Sequence, residues 1–123
     1  MIHLDTSALV DALTGRRRSA ERLRQFIANS ERVHITALVQ FEWLRGPRTH
    51  HEIEDQEAIF PSDQVVPFGP AEVSIAAELY RKVKRPRGRE IDIAIAACAI
   101  AHNAHLWTLN PEDFKDIPAL KLA

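Results

Sequence analysis

The chain has 123 residues, of which 46% are hydrophobic. This length favours one domain with a buried core and excludes two, so we expect a single domain over residues 1–123. The 16 basic and 17 acidic residues leave a formal net charge of −1, so any binding of a nucleic acid would require local clusters of basic side chains.

The first half of the sequence alternates short hydrophobic runs with helical patterns. A predicted strand over residues 1–5 leads directly into Thr6 and Ser7, either of which could cap the following helix, and that helix breaks at Gly15. The next predicted elements are a helix over 19–29, a strand over 33–36, a helix over 37–45 that Gly46 and Pro47 end, and a polar, acidic helix over about 50–59.

The second half continues the same alternation. The predicted elements are a third strand over 65–68, which contains Pro67, an amphipathic helix over 70–84, an apolar and fully buried helix over 91–101, a strand over 106–109, a turn at Asn110 and Pro111, and a short edge strand over 120–122. Strands that alternate with helices predict an α/β fold with a mostly parallel sheet of four to five strands, covered by helices on both faces.

Three acidic residues occupy positions where such a fold places its ligand site. Asp5 ends the first strand, Glu42 lies in the helix after the second strand, and Asp92 begins the buried helix. Ligands of open parallel sheets bind beyond the carboxyl ends of the strands. Each acid taken alone could be a helix-capping or solvent-exposed residue, but the three together predict an acidic cluster at one edge of the sheet.

A cluster of carboxylates without matching basic residues repels itself unless a cation binds there. Oxygen ligands favour Mg²⁺ or Mn²⁺ as that cation. Zinc is disfavoured, because Cys98 is the only cysteine and the six histidines lack the spacing of a zinc site. The lone cysteine also indicates a reducing, cytoplasmic location, and the apolar stretch over 93–101 is shorter than the roughly 20 residues that span a bilayer.

Four sequence blocks stand out along the chain: LDTSAL at 4–9, FEWLRG at 41–46, IDIAIAACA at 91–99 and TLNPEDF at 108–114. Together they resemble the PIN-domain family, and in particular the VapC-type ribonuclease toxins of type II toxin-antitoxin systems. Each block alone is weak, but four in order at plausible spacing are a strong signal. The resemblance implies the PIN-like three-layer α/β/α sandwich.

The resemblance further implies an endoribonuclease that depends on Mg²⁺ or Mn²⁺ and hydrolyses RNA through a metal-activated water. Asp5, Glu42 and Asp92 would be its catalytic and metal-binding triad. The fourth acidic position falls on either Asn110 or Asp113, and an asparagine would supply only a neutral oxygen.

Candidate substrate-binding residues lie near the acids in sequence. Thr6 or Ser7 could donate a hydrogen bond to a phosphate or to a metal-bound water, although both are equally good helix caps. Six basic residues fall within 81–89, including Arg85, Arg87 and Arg89, and a second basic cluster begins at residue 16. Both clusters could contact phosphates or serve only as solvated surface.

The resemblance also implies partners: an RNA substrate (tRNA or rRNA), a VapB-like antitoxin protein that covers the acidic site, and a second copy of the chain in a homodimer. The apolar residues of the predicted helices over 19–29 and 37–45 could supply the dimer surface.

Three other functions compete with this interpretation. The chain could be a non-catalytic PIN-like module that binds RNA or protein, or a PIN-like nuclease in RNA processing or on structured DNA, although the short chain disfavours the DNA substrate. A phosphatase of the haloacid-dehalogenase type would need an aspartate two residues after Asp5, where Ser7 stands.

Overall fold

Four short parallel strands form the centre of the molecule, for which a computed structural model describes residues 1–123. They are β1 (Ile2–Leu4), β2 (Val33–His34), β3 (His105–Trp107) and β4 (Lys121–Leu122), in the spatial order β2-β1-β3-β4. Since β1 pairs in parallel with β2 on one side and with β3 on the other, the carboxyl ends of these three strands lie at the same edge of the sheet.

Six helices surround the sheet. They are α1 (Thr6–Leu13), α2 (Ala20–Ala28), α3 (Ala37–Arg45), α4 (His50–Ile59), α5 (Pro70–Lys82) and α6 (Glu90–Ala101), with short 3₁₀ turns at Ser62–Gln64 and Pro111–Asp113. One group of helices forms around α1, which contacts α2, α3 and α4, and a second group consists of α5 packed on α6, which also contacts β3. The predicted three-layer α/β/α fold with four strands is therefore confirmed.

Local hydrogen bonds explain why α3 and α4 begin where the sequence predicts. The Thr36 hydroxyl accepts a bond from the Val39 N–H at 3.2 Å and so caps α3. Thr49 and Glu52 form a reciprocal capping box at the start of α4, with bonds of 2.8 and 3.1 Å. These caps satisfy N–H groups that a helix otherwise leaves without partners.

The core lies between the two helix groups and the sheet. Residues 93–99 of α6 are all buried, as the apolar composition of that helix predicts, and Trp43 and Trp107 are 0% and 1% exposed. Burial also raises the pKa of the Cys98 thiol to about 12, so this cysteine is a core residue with no reactive thiolate at neutral pH. None of the helices combines the length and the apolar character that crossing a bilayer demands.

Two details of the predicted structure are wrong. The strand over 65–68 is reduced to a single bridge between Thr36 and Val66, because the adjacent Pro67 has no N–H to extend the pairing. Neither Thr6 nor Ser7 caps α1: the N-cap position is Asp5, and both hydroxyl residues lie inside the helix. Their side chains bond to carboxylates instead.

Candidate active site at the carboxyl edge of the sheet

Asp5 lies where β1 ends and α1 begins, and its side chain is held by two hydroxyl groups. Its carboxylate Oδ2 accepts hydrogen bonds from Ser7 Oγ at 2.9 Å and from Thr108 Oγ1 at 2.8 Å, while its backbone N–H donates to the Trp107 carbonyl at 2.8 Å. The residue is only 5% exposed. Both side-chain bonds go to Oδ2, which leaves Oδ1 available to a cation.

Glu42 projects from α3 toward α1. Its Oε1 accepts a hydrogen bond from Thr6 Oγ1 at 2.6 Å, and its Oε2 accepts one from the Arg45 guanidinium at 3.2 Å. Thr6 and Ser7 thus hold one carboxylate each, and the two acids are fixed by neighbouring residues of the same helix.

Asp92 lies in the first turn of α6, and the charges of the other acids affect its carboxyl group. Burial, and to a smaller extent the negative charges of Asp5, Asp113 and Glu42, together raise the pKa of its carboxyl group to about 6, while Arg89 opposes the shift. Like charges affect a pKa in this way only when they are near. The other three predicted acids therefore lie within electrostatic range of Asp92.

Of the two candidates for the fourth acidic position, Asp113 is the one with a charge that reaches Asp92. It lies in the 3₁₀ turn after β3, and its backbone N–H donates to the Asn110 carbonyl at 3.0 Å. Asn110 stands at the start of that turn, exposed, with its own N–H donating to Thr108 Oγ1 at 3.0 Å.

The basic residues that the sequence places near the substrate have different surroundings. Arg89 donates to both carboxylate oxygens of Asp116 at 2.9 and 2.6 Å, and to the Asp113 carbonyl at 3.0 Å. The bond to Asp116 raises the pKa of the Arg89 guanidinium. Arg89 thus ties the start of α6 to the turn that carries Asp113, whereas Arg85 and Arg87 are exposed and form no ion pair.

Thr108 is a residue of the site that the sequence analysis does not predict, although it begins the block TLNPEDF at 108–114. Its hydroxyl group contacts Asp5, and it is also within 3.3 Å of the Ser7 hydroxyl. Thr108 directly follows β3, the neighbour of β1. The strand-end rule that indicated Asp5 could have indicated Thr108 as well.

The donors at this edge suit a hard divalent cation. They are carboxylate oxygens, and Glu42 alone among the four acids forms an ion pair, with Arg45 at 3.2 Å. Nowhere in the structure do three His, Cys, Asp or Glu side chains already stand close enough together to hold an ion. A cation would therefore have to draw the carboxylates inward, and it would offset both the burial and the mutual repulsion that raise the pKa of Asp92.

Comparison with known proteins agrees with this fold. The family model described as PIN domain matches residues 2–120. Ribonuclease VapC19 of Mycobacterium tuberculosis, found in strains CDC 1551 and H37Rv, is 33% identical over 120 residues, which cover 96% of this chain and 95% of the relative.

Solved structures share this fold. VapBC2 from Rickettsia felis, bound to a promoter DNA fragment, superposes with a TM-score of 0.76 at 22% identity and covers 100% of this chain and 98% of its own. VapBC-1 from nontypeable Haemophilus influenzae gives a TM-score of 0.71 at 25% identity, with coverage of 100% and 97%. The chain therefore belongs to the PIN-domain family and, within it, to the VapC proteins.

Proposed function

We propose that this chain is an endoribonuclease that requires Mg²⁺ or Mn²⁺ and serves as the toxin of a toxin-antitoxin pair. The observation that carries the proposal is that Asp5 and Glu42, each held by a hydroxyl group of α1, lie within electrostatic range of the half-buried Asp92 at the carboxyl edge of the sheet. Carboxyl groups with a perturbed pKa are typical of catalytic sites. The 33% identical relative is named a ribonuclease, which supports RNA as the substrate.

The site residues would have two roles, to bind the ion and to orient the residues that bind it. Asp5 and Asp92 are the main ligands of the ion, since neither is in an ion pair, Asp5 has a free Oδ1, and both are more buried than the exposed Asp113. Glu42 and Asp113 complete the acidic group, and Asn110 can offer a neutral oxygen at its rim. Ser7 and Thr108 orient Asp5 through bonds of 2.9 and 2.8 Å.

No side chain of the site has to act as a nucleophile. A bound divalent ion supplies a Lewis acid that lowers the pKa of a water and offsets the charge of an in-line displacement at the phosphodiester. The protein's own part is to hold the carboxylates in position, through the hydroxyl groups of Ser7 and Thr108 on Asp5 and of Thr6 on Glu42. Arg85 and Arg87, exposed and unpaired, are available for phosphate contacts.

The proposed partner is a VapB-like antitoxin protein, because the solved relatives are VapBC complexes. A protein partner also has a surface to cover: Ile27 on α2 and Phe41 and Leu44 on α3 are 52%, 56% and 49% exposed. We propose that this apolar surface contacts either the antitoxin or a second copy of the chain in a homodimer. An RNA-cleaving toxin of this kind would act in the cytoplasm.

The test is cleavage of total tRNA and rRNA by the purified protein with Mg²⁺, with Mn²⁺ and with EDTA. Asp5→Asn and Asp92→Asn remove ligands while keeping size. Glu54→Gln removes one charge from the exposed face of α4 and is the control. We expect cleavage that needs metal, persists in Glu54→Gln and is lost in both site variants.

A folded wild-type protein that leaves both RNAs intact with either metal would contradict the proposal. It would favour the non-catalytic RNA- or protein-binding module as the function.

A further inference from the structure

One cleft of the molecule connects the acidic site with two unpaired arginines. It has a volume of about 630 Å³ and is lined, among others, by Thr6, Ser7, Asp11, Arg16, Arg18 and Leu109. Thr6 and Ser7 are the residues whose hydroxyl groups bond to Glu42 and Asp5. Neither residue borders any other cavity of the structure, so this cleft is the one that opens beside the carboxylates.

The turn after α1 explains why the arginines differ from one another. Gly15 and Arg17 both adopt left-handed backbone angles, with φ of 57° and 52°, and the chain turns sharply between α1 and α2. Arg17 points to α4, where it forms an ion pair with Asp55 at 3.1 Å. Arg16 and Arg18 line the cleft, are exposed and form no ion pair.

Charge and chemistry in the cleft suit an anionic strand. Asp11 is its only acidic lining residue, and the Ser19 hydroxyl already bonds to it at 2.6 Å. The two arginines therefore leave the cleft with a positive charge, although the whole chain has a net charge of −1. Leu109, 44% exposed, adds an apolar contact of the kind that a base or ribose can use.

We propose that the RNA strand runs along this cleft, and that Arg16 and Arg18 contact phosphates next to the one at the acidic site. This inference rests on the proposed function, because it takes RNA as the ligand. It assigns the main electrostatic contact to the turn after α1 and not to the basic segment before α6. Guanidinium groups suit phosphate, since they present several donors in one plane.

The experiment measures binding of a fluorescein-labelled, single-stranded RNA of mixed sequence in EDTA, which prevents cleavage, over a series of salt concentrations. Each phosphate contact to a single strand contributes about 0.7 to the slope of log affinity against log salt. Arg16→Gln/Arg18→Gln should therefore lower that slope by about 1.4. Arg16→Lys/Arg18→Lys should keep it, because the charges remain.

The control is Arg32→Gln/Lys121→Gln, which removes the same charge from two exposed residues next to the amino ends of β2 and β4. That end of the sheet is opposite to the acidic site, so this variant should keep the wild-type slope. An unchanged slope in Arg16→Gln/Arg18→Gln, or an equal loss in the control, would overturn the inference. Failure of the proposed function shows separately, as absence of metal-dependent cleavage by the wild-type protein.

Discussion

The carboxyl group of Asp92 carries its charge in an environment that disfavours it. It is partly buried, three other acids are near, and Arg89, the one basic group that opposes their effect, is bonded to Asp116. Its pKa of about 6 lies above the ordinary 3.8, so the folded protein binds this proton more tightly than the unfolded chain does. Without a cation, the ionised Asp92 therefore destabilises the fold.

Asp92→Asn should consequently stabilise the metal-free protein at pH 7.5. After allowance for solvent screening we expect about 1 kcal/mol, or roughly 4 °C in Tm. The stabilisation that a protonated Asp92 gives is present below about pH 4 and lost as pH rises through about 6. The advantage of the variant should therefore shrink between pH 7.5 and pH 5.

Thermal unfolding in EDTA at both pH values measures this difference. A variant that is less stable than wild type at pH 7.5 would show that Asp92 is held by favourable contacts, against the electrostatic account.

Thr108 offers a second test at the scale of a single residue. Its hydroxyl group donates to Asp5 at 2.8 Å, so Thr108→Val should leave that carboxylate less well oriented. Loss of a group that orients a metal ligand typically costs about tenfold in metal affinity or activity. Thr108→Ser keeps the hydroxyl and should retain wild-type Mn²⁺ affinity; equal affinities in all three proteins would refute this role.

The ends of secondary-structure elements determine where the site residues stand. Asp5 directly follows β1, Thr108 directly follows β3, and Asp92 lies in the first turn of α6. The backbone therefore places these residues at one edge of the sheet. The 3₁₀ turn that carries Asp113 has no such anchor in the sheet. Arg89 supplies it through bonds of 2.9 and 2.6 Å to Asp116 and 3.0 Å to the Asp113 carbonyl.

Arg89→Gln should therefore lower activity by loosening this turn, and stability by about 1 kcal/mol, because the lost bonds are partly exposed. Asp116→Asn removes the ion pair without removing a positive charge and leaves the bond to the Asp113 carbonyl, so it should reduce cleavage in the same direction. RNA affinity in EDTA separates this role from direct substrate binding. Weaker RNA binding in Arg89→Gln but not in Asp116→Asn would mean that Arg89 contacts RNA.

Local sequence signals predicted most elements well. The bounds of α3 and α4 follow from Thr36, from Thr49 with Glu52, and from the break at Gly46, all of which act within a few residues. The prediction of a strand over 65–68 is wrong because it depends on the hydrophobic pattern alone. Pro67 has no N–H with which a strand could extend its pairing. A pattern of burial thus predicts an element only where the backbone can also complete its hydrogen bonds.

Contacts between distant parts of the chain were beyond local reasoning. Thr108 and Asp5 are 103 residues apart, and Arg89 and Asp116 are 27 apart. The strand-end rule placed the three acids Asp5, Glu42 and Asp92 at one edge, because it depends only on topology. Topology does not show which basic residue is bonded to an acid and which is free. The sequence therefore predicts the same substrate-binding role for Arg89 as for Arg85 and Arg87, although Arg89 is bonded to Asp116.

At the scale of the whole molecule, the fold gathers negative charge at one edge of a chain that is nearly neutral, with a net charge of −1. Four acids from separate segments lie within electrostatic range of one another there, and the cleft with Arg16 and Arg18 opens beside them. Such a distribution would suit a cation and an anionic strand side by side, which a uniformly charged surface would not do. We propose above all that this edge binds a divalent metal.

Mn²⁺ binding, followed by loss of the free-ion signal in electron paramagnetic resonance, tests that claim most directly. Asp92→Asn and Asp5→Asn are compared with wild type and with Glu54→Gln, the control on α4. We predict that wild type and Glu54→Gln bind Mn²⁺ with equal affinity and that both site variants bind at least about tenfold more weakly. Equal binding by all four proteins, or no binding by the folded wild type, would contradict it.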